Sequence, residues 1–492
     1  MADFEHRPRR VFWRAAALFI LASVAAYANN IRVENAALVK KDTVAKTASV
    51  VFDLAWDNSW RDVVNHDAAW VFVKFRPPGS NVWEHAILSS SSGAHGPAAN
   101  SVIDAVPDGG GALIYRSADY AGNVSYPKTR LCWEYGSNGY DFAQGDVIEL
   151  AVFAIEMVYI PEGPFYVGSG GNEIYHLYKY TDGTQSNEPY YVSSEAAFGW
   201  GKNNGNIYYC SNAASTQTFP GGPDGTISND FPKGFAAFYC MKHEVSQGQY
   251  TDFLNMLTTA QATRNFPNPS GDSRYPHTIV KNADQSYSVS MPTRAQNWLQ
   301  VAFGNAYSDW AALRPMTELE YEKACRGPLT PVVDECAWGS TNYILLTSVA
   351  GVFGSGTETA LPANANFSRV NYYPSRCGIF ATGGTTTREA SGAGYYGVLD
   401  LTGNVIEQCV QVGWPIGRAY TGLHGDGKLA ANGDHNVPGW PGEDSGRGTI
   451  KRGGGGGGDC DFRFLRTSAR GGFYSNGDRA FNSGWRAGRT AP

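Results

Sequence analysis

Two carboxylates, Asp400 and Glu407, flank a Gly403-Asn404 turn in the stretch Gly397 to Val410, GVLDLTGNVIEQCV. The backbone carbonyls of Gly403 and Val405 can point inward between them. That is an all-oxygen set of the kind a hard cation such as calcium accepts. The same spacing also fits a β-turn followed by a strand whose Glu407 pairs with an arginine of the same domain, because short Asp/Gly/Asn/Glu turns are common in loops. Cys460 follows a glycine run in KRGGGGGGDCDFRFLRTSAR (451–470). The other cysteines are Cys132, Cys210, Cys240, Cys325, Cys336, Cys377 and Cys409. None lies in a C-x-x-C pair, so zinc and thioredoxin-type chemistry have no support. Outside the cytosol some of them can pair. Cys325–Cys336 and Cys377–Cys409 are the expected bridges, with a buried thiol as the alternative for each. A serine hydrolase is unsupported, since no G-x-S-x-G occurs.

The elements that must hold these residues follow from composition and pattern. The chain has 492 residues, enough for two or three domains. With 42% apolar and 17% charged residues it is globular. The aromatic content of 13% and the 58 glycines favour a β- and loop-rich build. Residues 1–28 read as a secretory signal: arginines at 7, 9, 10 and 14, a short apolar core from Ala15 to Ala25, and a small-x-small site at Ala26-Tyr27-Ala28. A retained anchor is the alternative, although the run is short for a membrane span. Removing those four arginines and two acids takes the net charge from −6 to −8. An acidic secreted chain is a poor partner for nucleic acid or anionic membrane, and no membrane span is expected in the mature chain.

Residues 29–154 form the expected second segment, an all-β sandwich. Its strand-like runs are 31–39, 48–56, 68–75, 111–117, 129–135 and 146–155, rich in β-branched and aromatic residues and separated by Gly, Pro, Asn and Ser. No catalytic constellation occurs there. His66 next to Asp67, and His85 with His95, read as surface or satisfied histidines. The rest, 155–492, carries helices near Ser246–Leu257, Thr317–Cys325 and Ala302–Leu313. The first has an apolar face at Tyr250, Phe253, Leu254 and Leu257. The second opens with a capping box, Thr317 and Glu320. Long aromatic loops at 169–232 and 411–450 are candidate contact surfaces.

Five ordered segments resemble the formylglycine-generating enzyme, or sulfatase-modifying-factor, family. They are MVYIPEGPFYVGSG (157–170), FYCMKHEVSQGQYTDFLN (238–255), RPMTELEYEKACRG (314–327) followed by AWGS (337–340), the stretch GNVIEQ (403–408), and the closing KRGG (451–454), RTSARG (466–471) and GWRAGR (484–489). The resemblance spans Met157 to Pro492. It implies an α+β, β-rich fold: an N-terminal all-β sandwich followed by a formylglycine-generating-enzyme-like domain with a C-type-lectin-like fold. It also implies structural calcium on Asp400, Gly403, Val405 and Glu407, with a second site at Asn366 and Phe367. Ile406 and Gln408 replace the family's two tryptophans there.

The family's oxidases hold copper(I) between two cysteines just after the R-G-G element and convert a substrate cysteine to formylglycine. Cys460 alone stands in that segment, with Phe464 and Leu465 where a second cysteine is expected. A lone thiolate does not supply the two-sulfur site that soft copper(I) prefers, unless Cys409 approaches in space. The histidine cluster of the family's iron-dependent sulfoxide-synthase relatives is missing too. The expectation is therefore a secreted, non-catalytic binding or structural protein on this scaffold, with an extracellular protein or glycan as partner or with self-assembly into a filament or surface layer. A diversified lectin-like receptor displaying Gly472 to Gly484 is one form of it. The alternative is an active sulfatase-modifying oxidase with an unusual site at Cys460.

Overall fold

The computed structural model describes residues 30–173, 175–182, 187–210, 222–268, 277–367, 374–382, 387–442, 447–455, 462–471 and 481–492. Cys460, the signal segment, and residues 472–480 of the displayed end lie outside them.

The N-terminal part contains β1 (Arg32–Asp42), β2 (Thr47–Arg61), β3 (Asp67–Arg76), β4 (Glu84–His85), β5 (Ser101–Ala105), β6 (Ala112–Arg116), β7 (Tyr120–Trp133) and β8 (Glu149–Ile160). Strands β1, β2 and β7 make a three-stranded antiparallel sheet in the order β1-β2-β7. It packs on a second sheet that contains β3, β5, β6 and β8. Val50, Phe52, Leu54 and Trp56 of β2 meet Val71, Val73, Phe75 and Val152 in one core.

The second sheet does not stop with the sandwich. Its order is Arg314–Pro315, Ala487–Thr490, Phe238–Met241, β8, β3, β6, β5, with β4 added on β3. β8 pairs with β3 from Arg76↔Glu149 to Asp67↔Val158, and its far end pairs with the strand Phe238–Met241 from Met241↔Met157 to Phe238↔Ile160. The expected boundary at 154/155 thus falls inside β8, whose ladder runs through it unbroken.

This shared sheet explains why AAWVFVKF and ELAVFAIEMVYI read as near-continuous apolar runs. Side chains alternate across a strand. Val71, Val73 and Phe75 feed the sandwich core, while Trp70, Phe72, Phe153 and Ile155 face the helices. Helices α1 (Gln247–Asn255), α2 (Thr259–Asn265) and α3 (Val301–Trp310) cover that side, with Tyr250, Phe253, Tyr307 and Trp310 in the same cluster. Trp70 Nε1 donates to the carbonyl of Ala311 at 2.8 Å, so the indole is satisfied as well as packed.

Three helices open with reciprocal capping boxes: Ser246/Gln249 on α1, Thr258/Gln261 on α2, and Thr317/Glu320 on α4 (Glu318–Arg326). α4 is buried along its whole length and brings carboxylates inward. Glu320 takes two hydrogen bonds from Arg314, at 2.9 and 2.6 Å. Glu318 takes two from Arg470, at 2.6 and 2.9 Å, and Glu322 takes one from Arg452 at 2.5 Å. The arginines of the closing segments therefore serve as buried counter-charges to one helix.

Neither expected disulfide forms. Cys325, Cys336, Cys377 and Cys409 are thiols. The reason is packing. Cys325 and Cys409 lie in the core between α4 and the shared sheet, Cys336 sits with Trp338 and Phe367, and Cys377 sits with Ala295 and Val405. Each proposed pair is divided between separate apolar clusters.

Candidate functional site

The turn at 400–407 is built from residues that tolerate left-handed backbone. Asp400, Gly403 and Asn404 have φ of 59°, 88° and 59°. At Gly403 glycine is required twice over, by φ and by space, because a Cβ would sit 2.8 Å from the carbonyl oxygen of Asn366. Asn366 and Gly403 form a parallel bridge, and the Asn404 N–H donates to the Asn366 carbonyl at 2.7 Å. The structure thus brings Asn366 against the turn. Phe367 beside it is buried in the cluster with Cys336 and Trp338.

Charge is concentrated here. Glu244, just before α1, accepts from Asn404 Nδ2 at 2.6 Å and from the Val405 N–H at 3.0 Å. Asp400 Oδ2 accepts from the Gly378 N–H at 2.6 Å and lies 3.6 Å from His243 Nδ1. Glu407 opens the strand Glu407–Val410, and its Oε1 accepts from Arg486 Nε at 2.6 Å. Arg486 also donates to the carbonyls of Met241 and Leu399, both at 2.8 Å. Burial raises Glu407 to about 7, with Arg486 opposing the shift. Burial, together with the charges of Asp400 and Glu407, raises Glu244 well above the usual carboxylate range. Burial lowers His243 to about 4, so its ring is neutral.

Glu244 and His243 were not singled out from sequence. Their signal was E-V in HEVSQGQY, 163 positions before Glu407, and only the fold joins the two. Three buried acids share the Arg486 guanidinium, Arg452 opposite Glu407 is hydrogen-bonded to Glu322 instead, and Glu407 Oε2 is buried with no hydrogen-bond partner among the described residues. That charge balance and that oxygen fit a cation. In this arrangement one oxygen each of Asp400 and Glu407 is held by a protein donor. No group of three or more His, Cys, Asp or Glu side chains among the described residues is placed around a metal position.

The described thiols near the domain centre are poor ligands for a soft metal as they stand. Burial raises Cys240 and Cys336 to about 12 and Cys409 well above the ordinary thiol value. A raised thiol is not a thiolate, and the thiolate is the nucleophile and ligand. Cys409 is enclosed with Val158, Ile160 and Cys240 in the core under the shared sheet.

A cleft of about 640 Å³ opens where the sandwich meets the C-terminal part, at one end of the shared sheet. Its floor comes from Tyr115 of β6, Tyr159 of β8 and Tyr239 of the next strand, and its rim from Arg61, Asp104 and Glu162. His66 stacks on Tyr159 with centroids 4.9 Å apart and lies 4.4 Å from the Tyr115 ring. Its Nε2 hydrogen-bonds the Tyr239 hydroxyl at 3.1 Å. Tyr115 donates to Asp104 at 2.6 Å, and the Arg61 guanidinium lies 5.5 Å from the Tyr115 ring centre. Burial, aided by the Arg61 charge, lowers His66 to about 4. His85 and His95, by contrast, are buried and bonded to the carbonyls of Gly110 and Ser89.

Comparison with protein families matches residues 211–491 to the sulfatase-modifying factor enzyme 1-like domain. No curated protein matches the chain at a significant level. No helix among the described residues is long and apolar enough to cross a membrane.

Proposed function

Because the chain belongs to the family of the sulfatase-modifying factor enzyme 1-like domain, we propose that it is a secreted protein that uses this scaffold for binding or structure rather than for oxidation. The cleft beside the sandwich is the ligand site. The observation that carries this reading is the cleft's lining. Three tyrosines, a neutral imidazole, a guanidinium and three acids, Asp62, Asp104 and Glu162, surround a volume in the range of small-molecule sites. Such a lining offers ring faces and hydrogen bonds to a hydroxyl-rich ligand, and a glycan has that chemistry. Calcium on Asp400, Glu407 and the carbonyls of Gly403 and Val405 would stabilise the scaffold beneath, with Asn366 and Phe367 packed against that turn as a second, weaker position.

The test is glycan binding by the purified chain, measured by array and calorimetry. Asp104→Asn and Arg61→Ala are each expected to weaken binding at least tenfold, about 1.4 kcal/mol, without changing the melting temperature. Binding that ignores both substitutions would refute the site. Family membership itself favours the second reading, an oxidase at Cys460. One-to-one copper(I) binding with conversion of a cysteine peptide to formylglycine, both lost in Cys460→Ser, would establish that reading instead. N-terminal sequencing of the exported protein, expected to begin at Asn29, tests secretion.

A further inference from the structure

Asp67, Glu156 and Lys242 meet on three neighbouring strands of the shared sheet. Lys242 follows the strand Phe238–Met241, and its N–H donates to the Glu156 carbonyl at 2.9 Å. Glu156 of β8 pairs with Ala69 of β3, and Asp67 pairs with Val158. All three side chains therefore lie on the sheet face that looks toward β2. Asp67 is 0% exposed, and Lys242 and Glu156 are 3% exposed. Lys242 Nζ lies 3.4 Å from Asp67 Oδ2 and 3.2 Å from Glu156 Oε2, with the Trp60 ring centre at 4.8 Å. The Asp67 carboxyl is fixed at both oxygens. Oδ1 accepts from the Ser59 hydroxyl at 2.7 Å and from the Trp60 N–H at 3.1 Å, and Oδ2 accepts from Trp56 Nε1 at 3.0 Å.

We propose that Lys242 and Asp67 condense into an intramolecular isopeptide bond, with Glu156 carrying the proton. An ion triad alone buries two carboxylates against one ammonium, an arrangement whose desolvation cost the attraction does not reliably offset. Condensation removes one charge of each sign and leaves Glu156 as it was. Burial opposes the ammonium, and Glu156 and Asp67 outweigh it, so the resting form is the ion pair. The reaction then runs in three steps. A proton moves from Nζ to Asp67 Oδ2, giving a neutral amine and a neutral acid. The Nζ lone pair attacks Cγ, the carbonyl electrons move onto Oδ1, and Glu156 takes a proton from the nitrogen. The oxyanion collapses, the Cγ–Oδ2 bond breaks, and Glu156 returns its proton so that Oδ2 leaves as water. Ser59 and Trp60 already donate to Oδ1, where the negative charge develops. Donors aimed at that oxygen act as an oxyanion hole does, and the lysine becomes a nucleophile by giving its proton to the neighbouring carboxylate.

The bond would join β3 to the residue after the Phe238–Met241 strand, closing a loop between positions 67 and 242 in which the sandwich is tied covalently to the family domain. It does not depend on secretion or on the cleft.

The experiment is mass spectrometry of the folded full-length chain. The intact mass should be one water below the mass of its sequence from the observed N-terminus. Tryptic digestion should yield a branched peptide joining Asp67 to Lys242, uncleaved after Lys242. Glu156→Gln and Lys242→Arg should both keep the full mass. Asp67→Asn should lose one ammonia in place of one water. A folded wild-type chain at full mass, cleaved normally after Lys242, would overturn the proposal. So would a water loss that maps elsewhere. The wild-type result decides even where a variant fails to fold.

Discussion

Replacing Arg486 with Met tests whether the cluster under the 400–407 turn is held by charge balance. The guanidinium is fully buried and makes three hydrogen bonds, one to Glu407 and two to the carbonyls of Met241 and Leu399. Methionine fills much of the volume but removes the guanidinium that bonds Glu407 and faces Glu244 and Asp400, while Arg452, opposite Glu407 across the ladder, is committed to Glu322. Removing one partner of a buried ion pair costs about 3–5 kcal/mol. Two carbonyls stripped of a donor add about 1–3 kcal/mol apiece at most. The expected loss is therefore at least about 5 kcal/mol, a large share of the stability of a typical domain. The double variant Arg486→Met/Glu407→Leu removes the orphaned charge, and such apolar replacements of whole pairs are often neutral. It should recover about 3 kcal/mol of the loss. Equilibrium urea unfolding in the presence of chelator, followed by circular dichroism, measures both differences from the midpoints. A single variant within about 1 kcal/mol of wild type, or a double variant no better than the single, would refute the charge argument.

Three further outcomes follow from the same geometry. Chelator should lower the melting temperature and calcium restore it, by about 2.7 kcal/mol at a hundredfold excess over the dissociation constant; Glu407→Ala should abolish the response, and an indifferent wild type with no bound metal would reduce the motif to a turn. Gly403→Ala should cost about 1–3 kcal/mol, from φ of 88° and the 2.8 Å approach to the Asn366 carbonyl, read as a lowered urea midpoint. His66 sits near 4 in the fold against 6.5 unfolded. The unfolded chain binds more protons between those values, so stability falls as pH drops from about 6.5 toward 4. The melting temperature of His66→Gln should lose less than that of wild type over this range.

The elements were legible where local pattern decides them. β2, β3 and β8 announce themselves as β-branched and aromatic runs, and Thr317 with Glu320 marks the start of α4 one residue from where it lies. α2 was not read from the sequence: the T-x-x-Q box at Thr258 and Gln261 marks its start, but TAQATRN offers no apolar face. What the sequence could not show is pairing at a distance. Nothing near Glu407 names Glu244 or Arg486. Nothing near His66 names Tyr159 and Tyr239. The disulfide expectations failed for the same reason, since closeness along the chain did not place Cys325 and Cys336 in one core. Asp67 looked like half of a loose His-Asp pair, yet its donors come from β2 in the facing sheet and Lys242 reaches it from the end of a strand two ladders away. Each of these contacts is fixed by the shared sheet, and a sheet's long-range order is not written in any single strand.

That sheet also limits how this molecule can be taken apart or exchanged between genes. A cut at 154/155 would divide β8 and leave two open edges, one on β3 where Asp67–Trp70 lose their partners and one on the remaining 155–160 piece of β8, each a template for pairing with another chain. The unit that can be moved whole into a new context is accordingly the sandwich together with the family domain. Because the tyrosines of the cleft floor stand on strands of that one sheet, Tyr159 and Tyr239 on neighbours and Tyr115 two strands from β8, any lineage that inherits the unit inherits their spacing. Variation at this cleft must then come from the side chains at its rim, Arg61 at the end of β2, Asp104 in β5 and Glu162 after β8, not from a hinge between two bodies.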